Sequence, residues 1–246
     1  MWDKPHILNR VADLLFAVSG LLAGYAAVIL FIHLPIFPLR MVRVDGPLEH
    51  VTDRDIKTVV TRELRGNFFT LNLAVGRAAL EKLPWVRNVD LRRRWPDQLE
   101  VMIEEHVPLA RWGDLGLVDT HGDVFRAAYG GELPVFIGPP GTARELAVQY
   151  EHFRRGLAPI NKVPVQIVVS PRRAWQVRLE DGLTLELGRE QTEARLTRFV
   201  EAYARTIGRL ARRIDYVDLR YANGFAVRIP ELKFKKSRPK AREGVA

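Results

Sequence analysis

Residues 14–32 read LLFAVSGLLAGYAAVILFI, nineteen residues without a charge. At about 1.5 Å per helical residue, a run of that length matches the ~30 Å hydrocarbon core of a bilayer. A secretory leader has a shorter apolar stretch, about 7–15 residues, closed by a small-residue cleavage site. Here the run is followed by HLPIFPLR, with no small-x-small pattern. The expectation is an uncleaved membrane helix over 13–35, with 1–12 as a short tail before it. Lys4 and Arg10 stand on one flank, Arg40 and Arg43 on the other, so the positive-inside rule sets no orientation. Gly20 and Gly24 form a GxxxG pattern; a helix-packing face and ordinary membrane-helix glycines both account for it.

Charge narrows the partner classes. The chain carries a formal net charge of +9 over 246 residues and no cysteine. Disulfides and thiolate metal sites are therefore excluded. The excess is concentrated at the end, where 231–246 hold six Lys/Arg against Glu231 and Glu243. A mildly basic body with a basic, disordered tail fits attraction to anionic surfaces rather than a nucleic-acid reader. LRRRWPD (91–97) reads as a charged hairpin surface, not a nucleic-acid patch.

Beyond the apolar run, the periodicities give two regions. In 40–107, MVRVDGP alternates as a strand. Thr52 and Asp55 form a helix N-cap pair ahead of Ile56, Val59, Val60 and Leu64, with Gly66 closing that helix. A second helix, within 74–86 and ending before Pro84, places Val75, Ala78, Ala79 and Leu83 on one face. VRNVDLRRRWPDQLEVMIEE then reads as two strands joined at Trp95-Pro96-Asp97. The order is β-α-α-β-β. In 108–230, RWGDLGLVDTHGDVFRA reads as strand–turn–strand, 142–157 as a helix, and 163–171, 173–181 and 183–189 as strands. Residues 191–210 read as one helix. YVDLRYANGFAVRI (216–229) alternates throughout and reads as one half-buried strand, bent at Asn223-Gly224. The fold class is α+β: a membrane helix, then β-α-α-β-β, then a mainly antiparallel β-domain with flanking helices.

Catalytic constellations do not emerge. The three serines lie in unsuitable settings, the six histidines are scattered without a metal-ligand spacing, and GPPG lacks the Lys-Ser/Thr of a phosphate cradle. Glu104 and Glu105 are neighbours in a strand, so they point to opposite faces. One is expected to be solvated and the other structural.

VRVDG, LPWVRNVDLRRRWPDQLEVMIEEHVPLARW, VDTHGDVF, GPPG and IDYVDLRYANGFAVRI together resemble the FtsQ/DivIB family of bacterial cell-division proteins. The resemblance covers essentially the whole chain. It implies a POTRA domain in 40–107, which is the β-α-α-β-β order read from the residues, and the family's β-domain in 108–230. It implies a non-enzymatic, single-pass scaffold of the divisome in the inner membrane, with its N-terminus in the cytoplasm and its bulk in the periplasm at the septum. No cofactor, metal, small-molecule substrate or nucleic acid is implied. The implied partners are FtsB and FtsL, with a strand of FtsB adding to the last strand of the β-domain. By position, the implied contacts are Arg172, Arg220, Tyr221, Asn223, Gly224, Phe225 and Val227. Ile229 departs from the family pattern, where a Trp stands nearby. Two other readings are a POTRA protein of outer-membrane assembly or secretion, and a membrane-anchored cell-wall enzyme. The first lacks repeated POTRA units and barrel strands; the second lacks a catalytic inventory.

Overall fold

The apolar run forms α1 (Pro5–His33), and the stretch Asn9–His33, 25 residues, is long and apolar enough to cross a membrane. The computed structural model describes residues 5–34, 37–209, 214–221 and 224–229. The basic tail 231–246 and residues 1–4 before α1 lie outside the described residues. Two compact units divide the chain, Met1–His106 and Val107–Ala246.

In the first unit, α1 is followed by β1 (Met41–Asp45), α2 (Asp53–Glu63), α3 (Leu73–Leu80), β2 (Val86–Arg94) and β3 (Gln98–Glu105). β3 is central, parallel to β1 and antiparallel to β2. The expected capping box forms: Asp55 N–H donates to Thr52 Oγ1 at 3.3 Å and Thr52 N–H donates to Asp55 Oδ2 at 3.2 Å. Ile56 and Val60 of α2 are buried against Leu99, Val101 and Ile103 of β3 and Val89 of β2. β1 leaves the sheet at Gly46, where φ is +143° and a Cβ would lie 2.5 Å from the Ile103 carbonyl oxygen, so only glycine fits.

Two expectations in this unit need correction. α2 ends at Glu63, with Leu64 as an extended cap, so Gly66 does not close it. α3 stops at Leu80 and buries Gly76 and Leu80, while Val75 and Ala78 are exposed. Asn72 sets that rotation by accepting from the Ala74 and Val75 amides at 3.1 and 3.3 Å. The inward row includes a glycine, which an apolar count passes over. A Cβ on Gly76 would lie 2.5 Å from Leu64 Cδ2, so the glycine leaves room for the Leu64 side chain.

The Glu104–Glu105 pair divides as expected. Glu104 pairs with Arg87 at 2.7 Å near the surface. The Glu105 side chain is 7% exposed and accepts the amides of Glu49, His50 and Val51 at 2.8–3.2 Å. Burial pushes its pKa up, but those amides and the His50 side chain outweigh burial and hold it below the usual value.

Among the described residues the second unit holds one nine-stranded mixed sheet. Its strands are β4 (Pro108–Trp112), β5 (Gly116–Asp119), β6 (Val124–Phe125), β7 (Val135–Ile137), β8 (Pro164–Val169), β9 (Trp175–Leu179), β10 (Thr184–Gly188), β11 (Tyr216–Asp218) and β12 (Ala226–Arg228). Their spatial order is β12-β11-β10-β9-β8-β7-β4-β5-β6. The pairs β4–β7, β7–β8 and β10–β11 are parallel, and parallel neighbours need a crossover. β5 and β6 lie in the first connection, and α4 (Ala143–Leu157) and α5 (Thr192–Tyr203) supply the other two. Leu146, Phe153, Leu196 and Phe199 of these helices are buried in one cluster with Ile167, Val177 and Leu185 of the sheet.

Three boundaries differ from expectation here. Residues 111–127 contain two reversals, because the chain also turns between β4 and β5. α5 ends at Tyr203 rather than 210; Thr206 turns its hydroxyl back to the Ala202 carbonyl at 2.7 Å, and a 3-10 turn over Ile207–Arg209 follows. The alternating stretch 216–229 is two antiparallel strands, β11 and β12, with Val217 opposite Val227 and Asp218 opposite Ala226. A strand–turn–strand satisfies a period of two as well as a single strand does.

Candidate partner-binding edge

β12 ends the sheet, so one side of its backbone has no strand beside it among the described residues. β11 is not an edge: β10 flanks it on one side and β12 on the other. The open side expected over 217–229 is therefore carried by Ala226, Val227 and Arg228, all exposed.

The residues around that edge are held by the strand pattern itself. Asp218 and Arg220 are two apart and share a face. Arg220 donates to the Asp218 carboxylate from Nε at 2.9 Å and from Nη2 at 2.6 Å, and its backbone amide adds a bond at 3.0 Å. The Asp218 side chain is 9% exposed and the Arg220 side chain 57%, so a buried carboxylate holds an arginine that faces solvent. The Arg220 side chain is the main cause that holds the Asp218 pKa below the carboxylate range, against burial, and Asp218 in turn raises that of Arg220. Glu186 is opposite Asp218 on β10. Burial and the Asp218 charge raise its pKa, with Arg220 opposing.

Gly188 lies beneath this clamp. Its φ is +75°, and a Cβ there would meet Arg195 Nη1 at 2.7 Å and Arg220 Cγ at 3.0 Å. Arg195 donates to the Leu187 carbonyl at 2.6 Å. Tyr221 is 58% exposed beside the clamp. Phe225 turns inward: its ring stands edge-on to Phe199 of α5, centroids 6.3 Å apart. A groove of about 410 Å³ opens between Arg195 and Arg198 of α5 and Leu219, Gly224 and Phe225 of the hairpin. At the other end of β12, the Arg228 guanidinium lies 5.3 Å from the centre of the Tyr216 ring.

Arg172 is exposed in the turn between β8 and β9. Trp175 pairs with Gly188, and Glu186 with Asp218, so Arg172 and Arg220 stand at the same end of the sheet. The strands that follow and precede them are two spacings apart, ~10 Å. Its neighbour Arg173 instead takes a positive φ of 63° and pairs with Glu145. Asn223 lies outside the described residues. Sequence reading thus brings Arg220, Tyr221, Gly224 and Val227 to one edge and Arg172 to the same rim. It missed Asp218, Gly188 and Arg195. Asp218 was detectable from its i, i+2 spacing to Arg220 on an alternating strand; Gly188 and Arg195 depend on tertiary packing.

The family model described as "Cell division protein FtsQ/DivIB, C-terminal" matches residues 110–220, and the one described as "POTRA domain, FtsQ-type" matches residues 37–106. The "Cell division protein FtsQ" of Nitrosospira multiformis is 46% identical over 233 residues, covering 93% of this chain and 99% of that protein. The chain belongs to the FtsQ/DivIB family. The protein of the same name in Burkholderia pseudomallei is 40% identical over 241 residues, with 95% and 96% covered, and that of Neisseria gonorrhoeae 33% identical over 229 residues, with 93% and 95% covered. The three-stranded sheet with its two helices is this family's POTRA domain, and the nine-stranded unit contains its C-terminal domain. One N-terminal apolar helix fits a single-pass membrane protein.

Proposed function

We propose that this FtsQ-family chain is a non-enzymatic scaffold of the divisome that binds the periplasmic segments of FtsB and FtsL. In this reading α1 sits in the inner membrane with the N-terminus cytoplasmic, and both folded units stand in the periplasm at the septum. A strand of FtsB adds to the open side of β12. The observation that carries the reading is the open β12 edge flanked by the clamped Arg220 and the exposed Tyr221. Main-chain bonds supply affinity in strand addition, and neighbouring side chains supply specificity. Tyr221 offers a rigid ring with a polar tip, a common anchor at interfaces. Arg172 and Arg220 suit an acidic partner side chain through charge-assisted bonds.

The non-enzymatic part of the reading rests on family membership and on the sequence's lack of a converging catalytic constellation. The test is calorimetry of the full chain in lipid nanodiscs against the periplasmic segment of FtsB. Tyr221→Ala is expected to weaken binding about tenfold, the scale of one interface anchor. An affinity equal to that of the unaltered chain overturns the assignment of the edge.

A further inference from the structure

The last carbonyls of a helix have no partner within it, and leaving them unmet at a membrane boundary is costly. At the end of α1 the partner comes from the loop between α2 and α3. The Asn67 side-chain amide donates to the Ile32 carbonyl at 2.6 Å and to the Leu34 carbonyl at 3.0 Å. Its oxygen accepts the amides of Phe69 and Thr70 and the Thr70 hydroxyl, at 2.9–3.0 Å. Asn67 is 7% exposed, with both ends of its amide engaged. One end holds the loop in shape and the other holds α1.

Aromatic contacts run along the same junction. Phe31 in α1 meets Phe37 edge-on at 5.5 Å, Phe37 meets Phe69 at 5.1 Å, and Phe69 meets Phe68 at 5.2 Å. The Phe68 amide donates to the Phe37 carbonyl at 2.9 Å. Phe69 nevertheless remains 43% exposed, and Arg65 beside the loop is exposed. If α1 spans the bilayer, residues 31–34 lie at its outer boundary, and contacts this short hold Phe69 at the same depth. An exposed ring there faces lipid, and a cation beside it faces headgroup phosphates.

We propose that residues 66–70 dock the POTRA domain on a phospholipid surface. Asn67 ties the domain to the end of α1, and Phe69 seats among the lipid headgroups, so the POTRA sheet keeps a fixed angle to the membrane. The proposal rests on α1 spanning the bilayer, and the test separates the two.

The chain has no cysteine, so each cysteine introduced carries a unique spin label. The full chain is reconstituted in phosphatidylethanolamine–phosphatidylglycerol vesicles with labels at Phe69→Cys or Leu22→Cys. Collisions with oxygen, which concentrates in lipid, are compared with collisions with a water-soluble nickel chelate. Both positions are expected to favour oxygen. A label at 69 that favours nickel while the label at 22 favours oxygen overturns the docking. A label at 22 that favours nickel overturns the spanning helix, and the proposal with it. The tie is read separately, as the distance distribution between labels at Val11→Cys and Thr58→Cys. Asn67→Asp keeps the acceptor oxygen but cannot donate to α1, and is expected to broaden that distribution about twofold as the domain samples more orientations. Phe69→Ser keeps the backbone amide that donates to the Asn67 side-chain oxygen but loses the ring that meets Phe37, Phe68 and the lipid, and is expected to broaden it to a smaller degree. An unchanged width in Phe69→Ser, or in an Asn67→Asp chain whose circular dichroism is unaltered, overturns the tie.

Discussion

The two sheets end in opposite ways. β2 is the longest strand at an edge of the POTRA sheet, nine residues, and by length alone it is the better template for an incoming strand. Its surface is crowded with charge: Arg92 pairs with Asp90 at 2.7 Å, Arg94 with Glu100 at 3.2 Å and Arg87 with Glu104 at 2.7 Å. Arg93 reaches across to the Leu71 carbonyl. Charged side chains along an edge are a common protection against unwanted pairing. β12 has three residues, two of them Ala226 and Val227, and no carboxylate. The charges near it stand at its ends, where Asp218 fixes Arg220 and Tyr216 lies under Arg228. In the proposed function the edge that takes a strand is the one without carboxylates, not the longer one.

The largest expected effect breaks this contrast directly. Val227→Pro removes a backbone N–H from β12 and puts a ring on the edge, and proline is poorly tolerated in strand pairing. FtsB-segment binding is expected to fall by about 100-fold or more, because strand addition depends on main-chain bonds. Near-UV circular dichroism checks that the β-domain remains folded. Binding within threefold of the unaltered chain would move the interface elsewhere.

Next in size is a change that separates the two units. Glu105→Ala strands the amides of Glu49, His50 and Val51, which now share one buried carboxylate. Charge-assisted bonds are worth about 1.5–3 kcal/mol each and act together here, so the POTRA domain is expected to lose about 3 kcal/mol. Denaturant melts of the full chain measure it. Binding at β12 should stay within twofold; a parallel loss of both would show that the edge depends on the POTRA core.

A smaller effect tests the clamp. Asp218→Asn removes the charge that aligns Arg220 but keeps the shape of the strand. Affinity is expected to fall about tenfold, on the scale of one charge-assisted contact. Arg220→Gln should give a similar loss, and the double variant little more, because both act through one unit. Additive losses would mean that Arg220 binds without the help of Asp218.

How much of this was readable in advance follows from the kind of information each element needs. The β-α-α-β-β order was legible, since the Thr52/Asp55 box and the Trp95-Pro96-Asp97 turn are local signals. The rotation of α3 was not, because its inward row includes Gly76, which matters only once Leu64 lies against it. The edge was located but drawn too long. Alternation in 216–229 is the same for one strand or two, and only the pairing of Val217 with Val227 decides between them. Arg220 and Tyr221 were named through resemblance as partner contacts, which remains part of the proposed function; their place beside β12 is what the structure adds. The carboxylate that holds Arg220 was present in the alternation, while Gly188 beneath it was not.

The smallest effect concerns acid, where the two units respond alike for different reasons. The Asp218 pKa is lowered in the folded chain, chiefly by the Arg220 side chain, and that of Glu105 is lowered by the amides it accepts despite burial. A carboxylate whose folded pKa is depressed contributes stability above its unfolded value, about 3.9 for Asp and 4.3 for Glu, and that contribution is lost as pH falls through the folded value. Glu186 has the opposite sign, because burial raises its folded pKa. Its contribution to stability grows as pH falls toward about 4.3 and partly offsets the loss nearby. Binding at β12 is therefore expected to be flat from pH 7 to about 5 and to weaken only below about pH 4, as the carboxylate holding Arg220 takes up a proton. Asp218→Asn should lose that acid limb while the POTRA melt keeps its own, and Glu105→Gln should do the reverse. If either variant flattened both profiles, the two carboxylates would be coupled, and the separation of a charge-protected sheet from an open one would fail.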